Sequence, residues 1–230
     1  MGRAKRAEDG GTVFHVLNRA NMGATIFETP EDYAAFERVL QEAVERTGMR
    51  LLAYCVMPNH WHLVVWPRRD GDLSKFVGWL TLTHTQRWHA SHGTVGTGHL
   101  YQGRFKSFPV EPDQHFLTVC RYVEGNPLRA KLVSLAEDWA SASLSHRLRK
   151  DDFAQAVFSQ WPVPVPRQWR SHVNQPQAES EVAALRRSVH RGPPLGTPAW
   201  TQRIVKQMGL EVTTRPRGRP KQVREDGNGA

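Results

Sequence analysis

Two strand-like runs separated by only three residues constrain this chain most. Residues 49–56 (MRLLAYCV) and 60–66 (HWHLVVW) are rich in apolar, β-branched and aromatic side chains, and Met57-Pro58-Asn59 between them reads as a turn. Such a pair is a β-hairpin. On its N-terminal side, residues 12–19 read as a first strand. Pro30 with Glu31 and Asp32 then opens a helix whose Tyr33, Phe36, Leu40 and Val44 recur at spacings of three and four, ending near Gly48. On its C-terminal side, Leu73, Phe76, Leu80 and Trp88 mark a second helix over 73–89. Residues 100–110 (LYQGRFKSFPV) alternate as a fourth strand, and Pro112-Asp113 opens a third helix that Pro127 stops near Gly125. The order β-α-β-β-α-β-α begins with the ferredoxin-like split βαβ arrangement, which predicts an α+β fold: an antiparallel sheet with helices on one face. Residues 12–150 suffice for this one domain.

The flanks differ in character. Residues 1–11 are charged and glycine-rich, predict a flexible N-terminus and hold no apolar secretory segment. No run approaches the ~18 apolar residues of a membrane span, so a cytoplasmic protein is expected. Pro162, Pro164 and Pro166 predict a stiff extended linker over 151–177. Residues 178–190 and 197–208 read as helices, with Gly209 as a stop, so 178–230 is expected to be a basic helical DNA-binding extension. The chain carries a net charge of +9. Residues 161–230 hold 12 Lys+Arg against 5 Asp+Glu, whereas residues 1–160 hold 19 against 17, so the surplus lies in this tail. That distribution favours a polyanionic partner. Arg215-Pro216-Arg217-Gly218-Arg219-Pro220 is similar to an AT-hook core, in which Arg215, Arg217 and Arg219 would enter a narrow minor groove. Cys55 and Cys120 sit among apolar residues and are expected to be buried thiols.

Two motifs carry chemistry. In a strand, alternate side chains share a face, so His60 and His62 point one way and Trp61 the other. Two imidazoles so placed suit one metal ion; the plain alternative is two polar residues on an exposed sheet face. Tyr122 and Asn126 are four apart, which on a helix puts them on one face. A phenol is a potential nucleophile and a carboxamide oxygen a potential ligand. Pro127 disfavours helical geometry at Asn126, which leaves the aim of that side chain open. Arg104 and Lys106, on the fourth strand, are candidates to hold a phosphate. No glycine-rich phosphate loop with its lysine is present.

In the runs VFHVLNRAN, AYCVMPNHWHLVV, GHLYQGRFKS and RYVEGNPLRAKLV, the chain resembles the REP-associated tyrosine transposases, within the single-tyrosine HUH nucleases. The resemblance implies a ferredoxin-like fold, Tyr122 as nucleophile, and His60, His62 and Asn126 as ligands of Mg²⁺ or Mn²⁺. It also implies cleavage of single-stranded DNA bearing palindromic hairpins through a 5′-phosphotyrosine, by a monomer or a homodimer. Where the family often has glycine after the Asn-Pro segment, this chain has Lys131. Two other readings share the fold: a catalytically silent hairpin-DNA-binding regulator, and an RNA-binding domain stacking bases on Trp61 and Trp66. His115, seven residues before Tyr122, is either a proton-handling group on the Tyr122 face or an ordinary surface histidine.

Overall fold

The computed structural model describes residues 8–215. Four strands, β1 (Val13–Arg19), β2 (Arg50–Met57), β3 (His60–Trp66) and β4 (Lys106–Val110), form one antiparallel sheet in the order β2-β3-β1-β4. With α1 (Pro30–Thr47) between β1 and β2, and α2 (Asp72–Ser91) between β3 and β4, this is the split βαβ arrangement. The first helix starts where its sequence says it should. Thr29 and Asp32 form a reciprocal capping box ahead of Pro30, and Gly48 closes the helix in the left-handed conformation at φ 66°.

The sheet is covered on both faces. Phe14, Val16, Trp61, Leu63 and Val65 pack against α1 and α2. The alternate residues of the same strands, Val13, Cys55, Val64 and Phe108, pack under α3 (Gln114–Glu124) and the helices after it. Period-two alternation therefore serves two cores rather than one core and solvent. Cys55 and Cys120 are free and buried in the second of them.

Three expectations from the sequence need correction. The fourth strand begins at Lys106, not at residue 100, because Gly103 at φ 107° takes the backbone out of the strand region. Arg104 therefore lies on a loop, although Gln102 N–H still donates to the Arg19 carbonyl at the end of β1. The third helix stops at Glu124, and Pro127 does not end it but sits in the first turn of a new short helix, α4 (Asn126–Arg129). Proline is tolerated there because its missing N–H has no helical partner to lose. Finally, residues 151–177 are not a free extended spacer. They hold α6 (Asp152–Val157) and α7 (Trp169–Asn174), which follow α5 (Ser143–Arg149), and they bury Trp161, Trp169 and Val173 against the second core.

One buried group ties these segments to α3. The Glu124 carboxylate accepts hydrogen bonds from Ser143 Oγ and Trp169 Nε1, each at 2.6 Å. Ser143 in turn accepts from Tyr54 N–H on β2 at 3.1 Å. The helix that carries Tyr122 is thus fastened to the sheet, to α5 and to α7 through one side chain. Downstream, α8 (Glu179–Arg191) and α9 (Pro198–Met208) end at Gly192 and Gly209, both left-handed. Leu185 of α8 is buried in the same core as α3.

Candidate active site

His60 and His62 emerge from β3 on the face that α3 covers, with ring centroids 5.0 Å apart and nearly perpendicular. Trp61 points to the opposite core, where its indole N–H donates to the Tyr101 hydroxyl at 3.0 Å. His60 Nδ1 lies 2.7 Å from Asn59 Oδ1, so its proton sits on Nδ1 and Nε2 keeps a lone pair. His62 Nδ1 lies 2.9 Å from Nε2 of His15, a buried residue of β1. Each imidazole therefore has its Nδ1 engaged within the protein, the arrangement usual for histidines that bind metal through Nε2.

Tyr122 approaches from α3. Its ring lies 6.1 Å from that of His62, at 90°, and 6.5 Å from that of His15. The side chain it engages is Arg129, whose guanidinium interacts with the phenol. The ring is fixed from behind. Arg129 of α4 places its guanidinium carbon 4.1 Å over the ring, and its Nη2 donates to the Tyr122 carbonyl. The break between α3 and α4 makes this fold-back possible. A Cβ on Gly125 would stand 2.9 Å from the Arg121 carbonyl oxygen and 3.2 Å from Arg129 Nη1, so a larger residue would crowd the end of α3 and displace the arginine.

His60, His62 and Tyr122 line one cavity of about 260 Å³. Asn18, Arg19, Gln102, Arg104 and Lys106 complete its sheet side, and Val189 and His190 of α8 form the opposite wall. Arg104 and Asn18 also line a neighbouring groove that runs to Ser74, Thr81 and Thr85 on α2. Four cationic or protonatable side chains other than the histidine pair thus ring the opening, which suits a phosphodiester.

The electrostatics keep the imidazoles neutral. Burial lowers His15 to about 3, and burial together with the nearby Arg19 charge lowers His60 to about 4. Burial, then His60, His15 and Arg129, holds His62 well below the ordinary value. On the other face, burial takes His84 to about 3. Neutral imidazole is the form that ligates. In the unfolded chain these groups protonate near 6.5, so below that pH the unfolded state binds more protons than the folded one. Their neutral burial costs nothing above pH 6.5, and stability declines as pH falls from there toward 4. Each fully buried histidine contributes a slope of up to about 1.4 kcal/mol per pH unit. Urea unfolding at pH 7, 6 and 5 should show this decline; equal midpoints at all three would contradict it.

The residues proposed from sequence divide into three groups. His60, His62, Tyr122, Arg104 and Lys106 meet at the cavity. Asn126 does not line it: the residue opens α4, and its carboxamide makes no hydrogen bond among the described residues, with Nδ2 buried. Of the tail cations, Arg215 is exposed, with its carbonyl accepting from Arg191, while Arg217 and Arg219 lie outside the described residues. His115 is bonded to Asp113 at 2.9 Å and sits with Glu111 at the start of α3, not at the cavity. Tyr101 is buried in the first core with its hydroxyl shared between Trp61 and His84, so it is no alternative nucleophile.

Sequence reasoning missed His15, Arg129 and the α8 wall. His15 is on the His62 side of β1 by simple alternation, and Arg129 lies in the same run as Tyr122. Nothing local, however, signals that 189–190 returns to the cavity. The residues present suit a divalent cation: two neutral imidazoles with free Nε2 atoms, and a carboxamide without a partner nearby in sequence.

A family profile described as IS200-like transposase matches residues 11–126. No curated relative matches the chain in sequence. Among solved structures, a REP-associated tyrosine transposase bound to a REP hairpin shares the fold at 16% identity, with TM-score 0.54, over 72% of this chain and 95% of that one. A candidate transposase from Deinococcus radiodurans R1 aligns at 17% identity and TM-score 0.39, over 54% and 95% of the two chains.

Proposed function

Because this chain belongs to the IS200-like transposase family, we propose that it is a metal-dependent endonuclease and strand transferase acting on single-stranded DNA next to a hairpin. The observation that carries the reading is the convergence, in one chain, of a phenol with a same-face histidine pair, their rings 6.1 Å apart at the nearer imidazole. The hairpin comes from the neighbour whose structure holds one.

In this reading Tyr122 Oη attacks the scissile phosphorus. The Oη–P bond forms as the P–O3′ bond breaks; the phenol gives up its proton and the departing 3′ oxygen takes one. The product is a 5′-phosphotyrosine and a free 3′-hydroxyl. The phosphodiester bond is exchanged, not hydrolysed, so a second 3′-hydroxyl reverses the step and joins strands without ATP. His60 and His62 hold a Mg²⁺ or Mn²⁺ ion, with Asn126 as the proposed third ligand although it does not line the cavity. When bound, the ion supplies Lewis-acid polarisation of a phosphate oxygen. Arg104 and Lys106 grip the phosphate, and the strand continues into the groove beside α2. The basic extension and its Arg215, Arg217 and Arg219 add non-specific phosphate contacts.

Arg129 holds the attacking ring in place in this scheme. Arg129→Ala should slow adduct formation about tenfold, the value of one lost partly buried cation–π contact, with hairpin affinity unchanged. Single-turnover cleavage and fluorescence anisotropy separate the two effects; a variant that cuts at the wild-type rate would remove Arg129 from the scheme.

Labelled hairpin oligonucleotides with single-stranded flanks, incubated with the protein and Mn²⁺, test the whole reading. A covalent protein–DNA band that EDTA suppresses is expected. Tight binding with no such band would instead identify a DNA-binding regulator on the same fold.

A further inference from the structure

We infer that His15 is a positioning residue for His62, fixing the orientation of that imidazole and accepting its Nδ1 proton when a cation takes Nε2 at the cavity. The inference rests on the metal-site reading above and adds to it a residue beneath the ligands.

His15 Nε2 and His62 Nδ1 are 2.9 Å apart, and the two rings are inclined by only 18°. The two nitrogens thus face each other at N–H···N bonding distance, with the ring centroids 5.0 Å apart. The strand register explains it. His15 of β1 stands opposite Val64 of β3, which makes His62, two residues away on the same face, its diagonal neighbour within reach. His15 is fully buried, with the Phe108 ring 4.9 Å away, and among the described residues its side chain's only hydrogen-bond partner is His62.

One proton lies between the two nitrogens, and it has two places. If His15 Nε2 carries it, the proton of neutral His62 sits on Nε2 and blocks ligation. If His62 Nδ1 carries it, His62 Nε2 is bare, and the proton of neutral His15 sits on Nδ1. A cation at His62 is compatible only with the second arrangement. His15 Nδ1 has no partner among the described residues, so no other protein group sets the His15 tautomer. The pair is free to follow the ligand. His15 thus fills the place that a carbonyl or carboxylate more often takes behind a metal-bound histidine.

The test uses Mn²⁺ binding to the full chain, followed by electron paramagnetic resonance, alongside apo-protein melting. His15→Phe keeps the ring shape and removes the acceptor. His15→Gln offers a carboxamide oxygen near the Nε2 position. His15→Phe should weaken Mn²⁺ binding by about 10- to 100-fold, with His15→Gln within about threefold of wild type. Both apo variants should melt within a few degrees of wild type. Wild-type affinity in His15→Phe would overturn the inference, as would equal losses in both variants. His60→Ala is the control. If wild type binds no Mn²⁺ that His60→Ala abolishes, the metal-site reading itself fails; if it does and His15→Phe still binds normally, only the role of His15 fails.

Discussion

Tyr122→Phe is expected to fold, to bind hairpin DNA with wild-type affinity, and to form no covalent adduct. The substitution removes one oxygen whose partner, Arg129, still donates to the backbone carbonyl of residue 122, and the ring keeps its contact with Arg129. Stability should stay within about 0.5 kcal/mol of wild type, as for a polar atom facing a cavity. The chemical step has no substitute nucleophile of comparable placement, so the loss should be on the order of a thousandfold or more, roughly 4 kcal/mol in the barrier. A denaturing gel of labelled oligonucleotide after incubation with Mn²⁺ reads this directly. An adduct persisting in the variant would move the nucleophile elsewhere, and it could not move to Tyr101, which is shut into the opposite core.

His62→Ala should be nearly as severe, for a different reason. Its imidazole supplies one of the two nitrogens that face the cavity, and its loss leaves His60 alone. Affinity for Mn²⁺ should fall by at least about a hundredfold, and adduct formation at limiting Mn²⁺ should fall with it. The variant also strips the His15 side chain of its one hydrogen-bond partner among the described residues, a buried loss of about 1–3 kcal/mol. For that reason His60→Ala, at the more exposed member of the pair, belongs beside it. It should reproduce the metal and cleavage defects with little change in melting. If raising Mn²⁺ to saturation restores neither variant, the histidines do more than hold the ion. If either variant cuts normally at low Mn²⁺, the pair is not the metal site.

Much of the architecture was legible because it rests on period. Alternation in β3 put His60 and His62 on one face with Trp61 on the other, and the spacing of Tyr33, Phe36, Leu40 and Val44 marked α1 through to its glycine stop. What was illegible depended on the third dimension. Alternation alone does not say that both faces of a sheet will be covered. Nor does a proline say whether it ends a helix or opens the next one. Pro127 does the latter, so α3 and α4 are separate helices meeting at Gly125, with Asn126 opening the second. The departure at Lys131 has a conformational counterpart. Its φ of 59° is the left-handed geometry that glycine adopts freely, so the chain accepts roughly 1 kcal/mol of backbone strain there. The proline-bearing stretch after residue 150 misled for a similar reason: composition indicated stiffness, while the tryptophans at 161 and 169 decided where it would lie.

The indole of Trp169 donating to Glu124 has a practical corollary for anyone recombining this chain with others. A chimera joined between residues 151 and 177 would discard the buttress behind the Tyr122 helix and the Val189–His190 flank of the cleft along with it. Grafts meant to give the protein a new C-terminal extension should therefore be spliced on after Thr214, leaving everything upstream as one indivisible cassette.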